Sequence, residues 1–131
     1  MKRFVTILFV LAIILTLCGC SGTRVNRDAD VTLTFQYGDE NISVVLPDEE
    51  AAKVIDILDG NRYDPMFSGV PSCGFNPDVS LKVDNRVFAI ACDLCNYVQD
   101  LGNLRFFSIP QKDMEYIRSL FEEYGGYFPC V

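Results

Sequence analysis

The sequence predicts an α+β domain, a mainly antiparallel sheet of about five strands with two helices packed on one face. Three observations carry that expectation: short stretches in which apolar residues alternate, two longer stretches with apolar residues at helical spacing, and a proline opening each of the latter. In VTLTFQY, Val31, Leu33, Phe35 and Tyr37 alternate with Thr32, Thr34 and Gln36, the pattern of a half-buried strand. GDEN follows as a turn, and ISVVL returns with Ile42, Val44 and Leu46 on one face, a hairpin with a loop of roughly four to five residues. Pro47 opens a helix whose first turn holds Asp48, Glu49 and Glu50, charges that suit a helix N-terminus. Its apolar stripe is Ala51, Val54, Ile55 and Leu58, and Gly60 with Asn61 stops it.

The second half follows the same logic. VSLKV and RVFAIAC flank Asp84 and Asn85 as a two-residue turn, and LRFFSI is a further strand. Pro110 opens a second helix with Met114, Ile117, Phe121 and Tyr124 on one face, ended by Gly125 and Gly126. Aligning Pro47 with Pro110 superposes Val54 on Ile117 and Leu58 on Phe121, an echo that two strand-to-helix junctions built under one set of rules account for.

Ahead of this domain, residues 1–19 have the build of a cleaved signal peptide. Lys2 and Arg3 precede an apolar run from Phe4 to Leu17, too short for a bilayer-spanning helix, which needs about 20 apolar residues. The run ends in Leu17, Cys18, Gly19 and Cys20. This quartet resembles the lipobox of bacterial lipoprotein precursors, with Leu at −3, a small residue at −1 and Cys at +1. The resemblance implies that Cys20 becomes the acylated first residue of the mature chain, that Cys18 leaves with the signal peptide, and that the protein sits at the extracytoplasmic face of the cell membrane. Residues 20–30, polar and without periodicity, are expected to be a lipidated tether with a reach of roughly 35 Å, and residues 31–131 a single domain. The chain's end, YGGYFPCV, resembles small uncharacterised lipoproteins of anaerobic Gram-positive bacteria, a likeness that implies no activity and no site residues.

Loss of Lys2 and Arg3 would leave nine of the eleven basic residues against 18 acidic ones, a charge of −9. That balance argues against nucleic acid or an anionic lipid surface as a partner. The chain has no histidine, which removes the commonest general base, the Ser-His and Cys-His nucleophile pairs and imidazole metal ligands. It has no glycine-rich phosphate loop, and DGNRYD at 59–64 lacks the sixth-position glycine and closing Glu of a calcium loop. Carboxylate pairs such as Asp56 with Asp59 and Glu122 with Glu123 fall on helix surfaces as solvated charges. A binding or structural module is therefore expected rather than an enzyme, with an envelope protein or a small ligand as its partner.

Chemistry concentrates in Cys73, Cys92, Cys95 and Cys130. The Asp84-Asn85 turn sets Leu81 opposite Phe88, Val79 opposite Ile90 and Pro77 opposite Cys92, placing Cys92 on the core face and Cys73 within reach of Cys92 or Cys95. An even count outside the reducing cytosol favours two structural disulfides, one joining Cys73 to the 92/95 pair and one joining Cys130 to the other member. No cofactor is then needed. Two alternatives stay open: a four-cysteine zinc site, and thiol exchange through the C-x-x-C at 92–95. The long connection from Asn61 to Asp78 carries Tyr63, Met66, Phe67, Val70 and Phe75, and Met66, Phe67, Val70 and Phe75 form a candidate partner patch for an inhibitor or sensor role.

Overall fold

The computed structural model describes residues 22–65 and 68–128. Within them the chain runs β1 (Val31–Tyr37), β2 (Glu40–Val45), α1 (Asp48–Leu58), β3 (Phe75–Val83), β4 (Arg86–Ala91), β5 (Tyr97–Asp100), β6 (Arg105–Ser108) and α2 (Gln111–Gly125). The strands form one open antiparallel sheet in the order β2-β1-β3-β4-β5-β6. This is the expected α+β architecture with one strand more than expected. No helix among the described residues is long and apolar enough to cross a membrane, and the apolar run at 4–17 lies outside them, as do the signal peptide and Cys20.

Alternation builds the sheet's inner face. Val31, Leu33 and Phe35 of β1 pair across the strands with Val83 and Leu81 on one side and with Val44 and Ile42 on the other. Phe88, Ile90, Val98 and Phe107 continue that face, and the α1 residues Ala51, Val54, Ile55 and Leu58 share one core cluster with Met114, Ile117, Leu120 and Phe121 of α2. Both apolar stripes are thus spent on the same core. Each helix follows a proline in extended conformation, Pro47 at ψ 152° and Pro110 at ψ 143°, whose carbonyl accepts the first helical bond from Ala51 or Met114. The prolines cap the helices from just outside rather than opening them. Gly126, at φ 82°, terminates α2 in the left-handed conformation.

Three expectations fail on local backbone chemistry. The β1–β2 loop is two residues, because Tyr37 pairs with Glu40 and Gly38 takes the positive φ a tight turn demands. Strand β5 was not foreseen: YVQD is short, and Cys95 and Asn96 precede it without a turn signal.

The third failure concerns the hairpin of β3 and β4. It keeps the expected pairs from Val83 with Arg86 to Ser80 with Ala89, then shifts, so that Phe75 rather than Pro77 approaches β4, opposite Ala91. Pro77 has no N–H to give a ladder, and Asn76 accepts the Asp78 amide on its own side chain, so the strand bulges there. Cys92 is consequently not opposite Pro77. Its amide bonds the Gly74 carbonyl at 2.8 Å, and the residue sits half-buried just beyond the end of β4.

Candidate functional site

Antiparallel register gives the sheet two poles. One gathers the starts of β1, β4 and β6 and the ends of β3 and β5; the other gathers the start of β3, the end of β4 and the start of β5. The cysteines collect at the second pole. Cys73 and Cys95 form a disulfide that ties the chain entering β3 to the chain entering β5. Between them Asp93 accepts the amides of Gly74 at 3.2 Å and Cys95 at 3.0 Å, so its carboxylate stitches the same two segments.

Arg118 of α2 completes this pole. Its guanidinium donates to the carbonyls of Ala91 at 3.0 Å, Cys95 at 3.1 Å and Asp93, three acceptors on one tight loop, while its plane lies over the Phe128 ring at 5.4 Å. A rigid planar donor suits such a fan of carbonyls. A cleft of about 360 Å³ opens beside it, lined by Cys92, Leu94, Glu122 and Phe128 among others, and Leu94 is 88% exposed. The donor atoms of Cys73, Asp93 and Cys95 lie within 4.8 Å of one another. In the disulfide state the two sulfurs are bonded to each other and offer no thiolate to a metal.

The first pole carries a buried polar cluster that the sequence reading missed. Asp100, 2% exposed, accepts the Tyr63 hydroxyl at 2.5 Å and the Arg86 guanidinium, which also donates to the Tyr63 oxygen at 2.5 Å. Burial, then the hydrogen bond to Asp100, raises the Tyr63 hydroxyl above its ordinary value. For Arg86, desolvation acts to lower its value, but the hydrogen bonds and charges of Asp100 and Tyr63 together outweigh it, and the guanidinium is held more firmly protonated. Tyr63 is thus a core residue, not part of an exposed loop. The one clue was parity: Asp100 stands two residues after Val98 and so on its face.

The expected tether is docked at the same pole. Thr23 is fully buried; its amide bonds the Asn61 carbonyl at 2.7 Å, its carbonyl takes the Gly60 amide at 2.9 Å, and its hydroxyl donates to Leu58 at 2.5 Å. Gly22 bridges Arg62, the Val25 amide bonds Asp59, and the Arg24 carbonyl accepts from Arg86. From Gly22 onward the segment belongs to the domain.

Of the expected partner patch, Phe75 is half-buried in β3 against Phe106 with ring centroids 5.4 Å apart, so it acts in packing. Val70 is 78% exposed and lines a cleft of about 250 Å³ with Asp64, Leu104, Arg105 and Phe106. Leu104, at the tip of the β5–β6 turn, is 68% exposed and has a positive φ of 56°. Met66, Phe67 and Cys130 lie outside the described residues. No protein-family model, no curated protein and no solved structure matches this chain.

Proposed function

We propose that the chain is a lipoprotein, acylated on Cys20 and held at the extracytoplasmic face of the cell membrane, where its domain serves as a small binding or structural module. The observation that carries this reading is the Cys73–Cys95 bridge, since a structural disulfide belongs to a chain that leaves the reducing cytosol. It agrees with the apolar leader and the Leu17-Cys18-Gly19-Cys20 box. Arg118 and Asp93 at one pole and Arg86 at the other hold backbone segments together, a structural use that supports a module over an enzyme.

The second bridge of this proposal joins Cys92 to Cys130. With Cys73 and Cys95 paired to each other, Cys92 and Cys130 are the two cysteines left in the mature domain. Cys92 and Phe128 line the same cleft, and two residues of chain beyond Phe128 span at most about 7.6 Å. No cofactor enters this reading.

A metal or thiol-exchange role is the second reading, favoured by the closeness of the Cys73, Asp93 and Cys95 donors. One experiment separates the two: intact mass of the full chain, expressed in a bacterium, extracted from membranes in detergent and sprayed under native and denaturing non-reducing conditions. The proposal expects loss of residues 1–19, added acyl mass on Cys20, and a deficit of about 4 mass units for two disulfides. A full-mass domain carrying zinc overturns the disulfide reading in favour of the metal site, and an uncleaved or unacylated chain overturns the anchor.

A further inference from the structure

Resting on the lipid anchor proposed for Cys20, we infer that the pole carrying Gly22, Arg62 and the Val70–Leu104 cleft is a membrane-seating surface, so that the disulfide pole stands outward. A free tether of some ten residues would leave orientation open. The docked segment does not. Cys20 precedes Gly22 by two residues, which span at most about 7.6 Å, so the acyl chains enter the bilayer close beside the Gly22–Arg62 bridge. Arg62 is in turn two residues from Asp64, which lines the cleft bearing Val70 and Leu104.

The occupant of that surface is lipid for two reasons on the molecule. Val70 and Leu104 are large apolar side chains, 78% and 68% exposed, at the edge of the pole the anchor holds against the headgroups. Arg24 and Arg62 are exposed beside the anchor point, where guanidinium groups meet phosphate. Asp28, Asp30 and Asp84 line a neighbouring cleft at the same pole, so the surface carries both signs and its seating needs no anionic lipid.

Geometry then fixes what faces away. From Arg86 to Ala91, β4 rises about 17 Å, and Cys73, Cys92, Asp93, Leu94 and Cys95 all lie at or past its far end. The cleft beside Leu94 and Arg118 is presented to the extracytoplasmic space, open to soluble partners that the seated pole excludes.

The chain contains no tryptophan, so a single introduced indole is a clean reporter. Leu104→Trp and Leu94→Trp are a matched pair of exposed leucines at opposite poles. Each full-length variant, lipidated in a bacterium, is reconstituted into neutral phosphatidylcholine vesicles containing headgroup-nitroxide lipid, and fluorescence quenching is measured at low and high salt. The inference expects several-fold stronger quenching for Leu104→Trp than for Leu94→Trp, unaffected by salt. Equal quenching, or stronger quenching of Leu94→Trp, in a chain whose mass shows acylation overturns the orientation and leaves the anchor standing. A chain whose mass shows no acyl group overturns the anchor itself.

Discussion

The ring of Phe35 occupies the place a side chain on Gly125 would need: a β-carbon built there meets the ring at 2.8 Å. Gly125 closes α2, and the contact lets the helix end lie directly on β1, where Phe35 also meets Phe121 edge-on at 6.0 Å. Glycine within a helix ordinarily costs about 1 kcal/mol relative to alanine, so replacement elsewhere would stabilise. Here the sign reverses. Gly125→Ala is expected to lower unfolding free energy by about 1–3 kcal/mol through overpacking against Phe35. Urea denaturation measures it, and a variant as stable as the parent would show that the ring yields freely.

Thr23→Ala removes a buried hydroxyl that donates to Leu58 and accepts the Asn61 amide at 2.9 Å. Leaving those buried groups without partners costs about 1–3 kcal/mol. The segment from Gly22 to Val25 should also loosen. Faster hydrogen exchange at the amides of Thr23 and Gly60, with β3 and β4 unchanged, is the expected signature; uniform exchange across the domain would contradict it.

The Tyr63 hydroxyl gives a pH dependence with a definite sign. Its folded-state value lies above the ordinary tyrosine value of about 10, so the folded chain holds that proton more tightly than the unfolded chain does. Its contribution is therefore complete below about pH 10 and is lost as pH rises through the folded value. Urea midpoints of the parent should fall more steeply than those of Tyr63→Phe across that range. Parallel curves would remove Tyr63 from the alkaline transition.

Removing the Cys73–Cys95 bridge with paired alanine substitutions should cost about 2–4 kcal/mol, since it closes a loop of sequence separation 22. Because Asp93 binds Gly74 and Cys95 across the same gap, Asp93→Ala in the bridged chain should cost less than the bridge itself. Thermal unfolding of the two variants decides the order.

Arg118→Lys keeps the charge and loses the planar guanidinium whose Nη2 reaches all three carbonyls. Substitution should cost about 1–3 kcal/mol and speed amide exchange at residues 92–95 while α2 stays protected. Unchanged exchange in that loop would show that the disulfide alone holds it.

What could be read in the sequence was what depends on period and punctuation. The α1 stripe of Ala51, Val54, Ile55 and Leu58 is the buried set, and Asp84-Asn85 makes the two-residue turn, with Asp84 at φ 54°. The same reasoning gave Tyr124 to the core face of α2, where the structure buries Leu120 and leaves Tyr124 partly exposed, its hydroxyl donating to Glu50 of α1. Features that join residues far apart in the chain had no local trace. The Thr23 contacts span 35 to 38 residues, the Tyr63–Asp100 bond 37, and nothing near either end of each pair announces the other. Polar composition marked residues 22–30 as a linker because a segment that docks through its backbone needs no apolar periodicity. The β3 bulge was hidden because Pro77 forbids a ladder bond without saying where the register resumes.

Strand order departs from chain order in one respect only: β2 lies outside β1, so β1 and β3 are neighbours bridged by α1, and β3 to β6 follow one another as an unbroken meander. Every pairing in that meander closes a short loop, which costs little chain entropy, whereas β1 must find β3 across more than thirty residues. The meander is thus the natural nucleus, and the β1–β2 hairpin with α1 joins it afterwards. Thr23 has no acceptor at Leu58 and Asn61 until α1 is in place, so the segment with which the domain begins in the chain is the one that locks last.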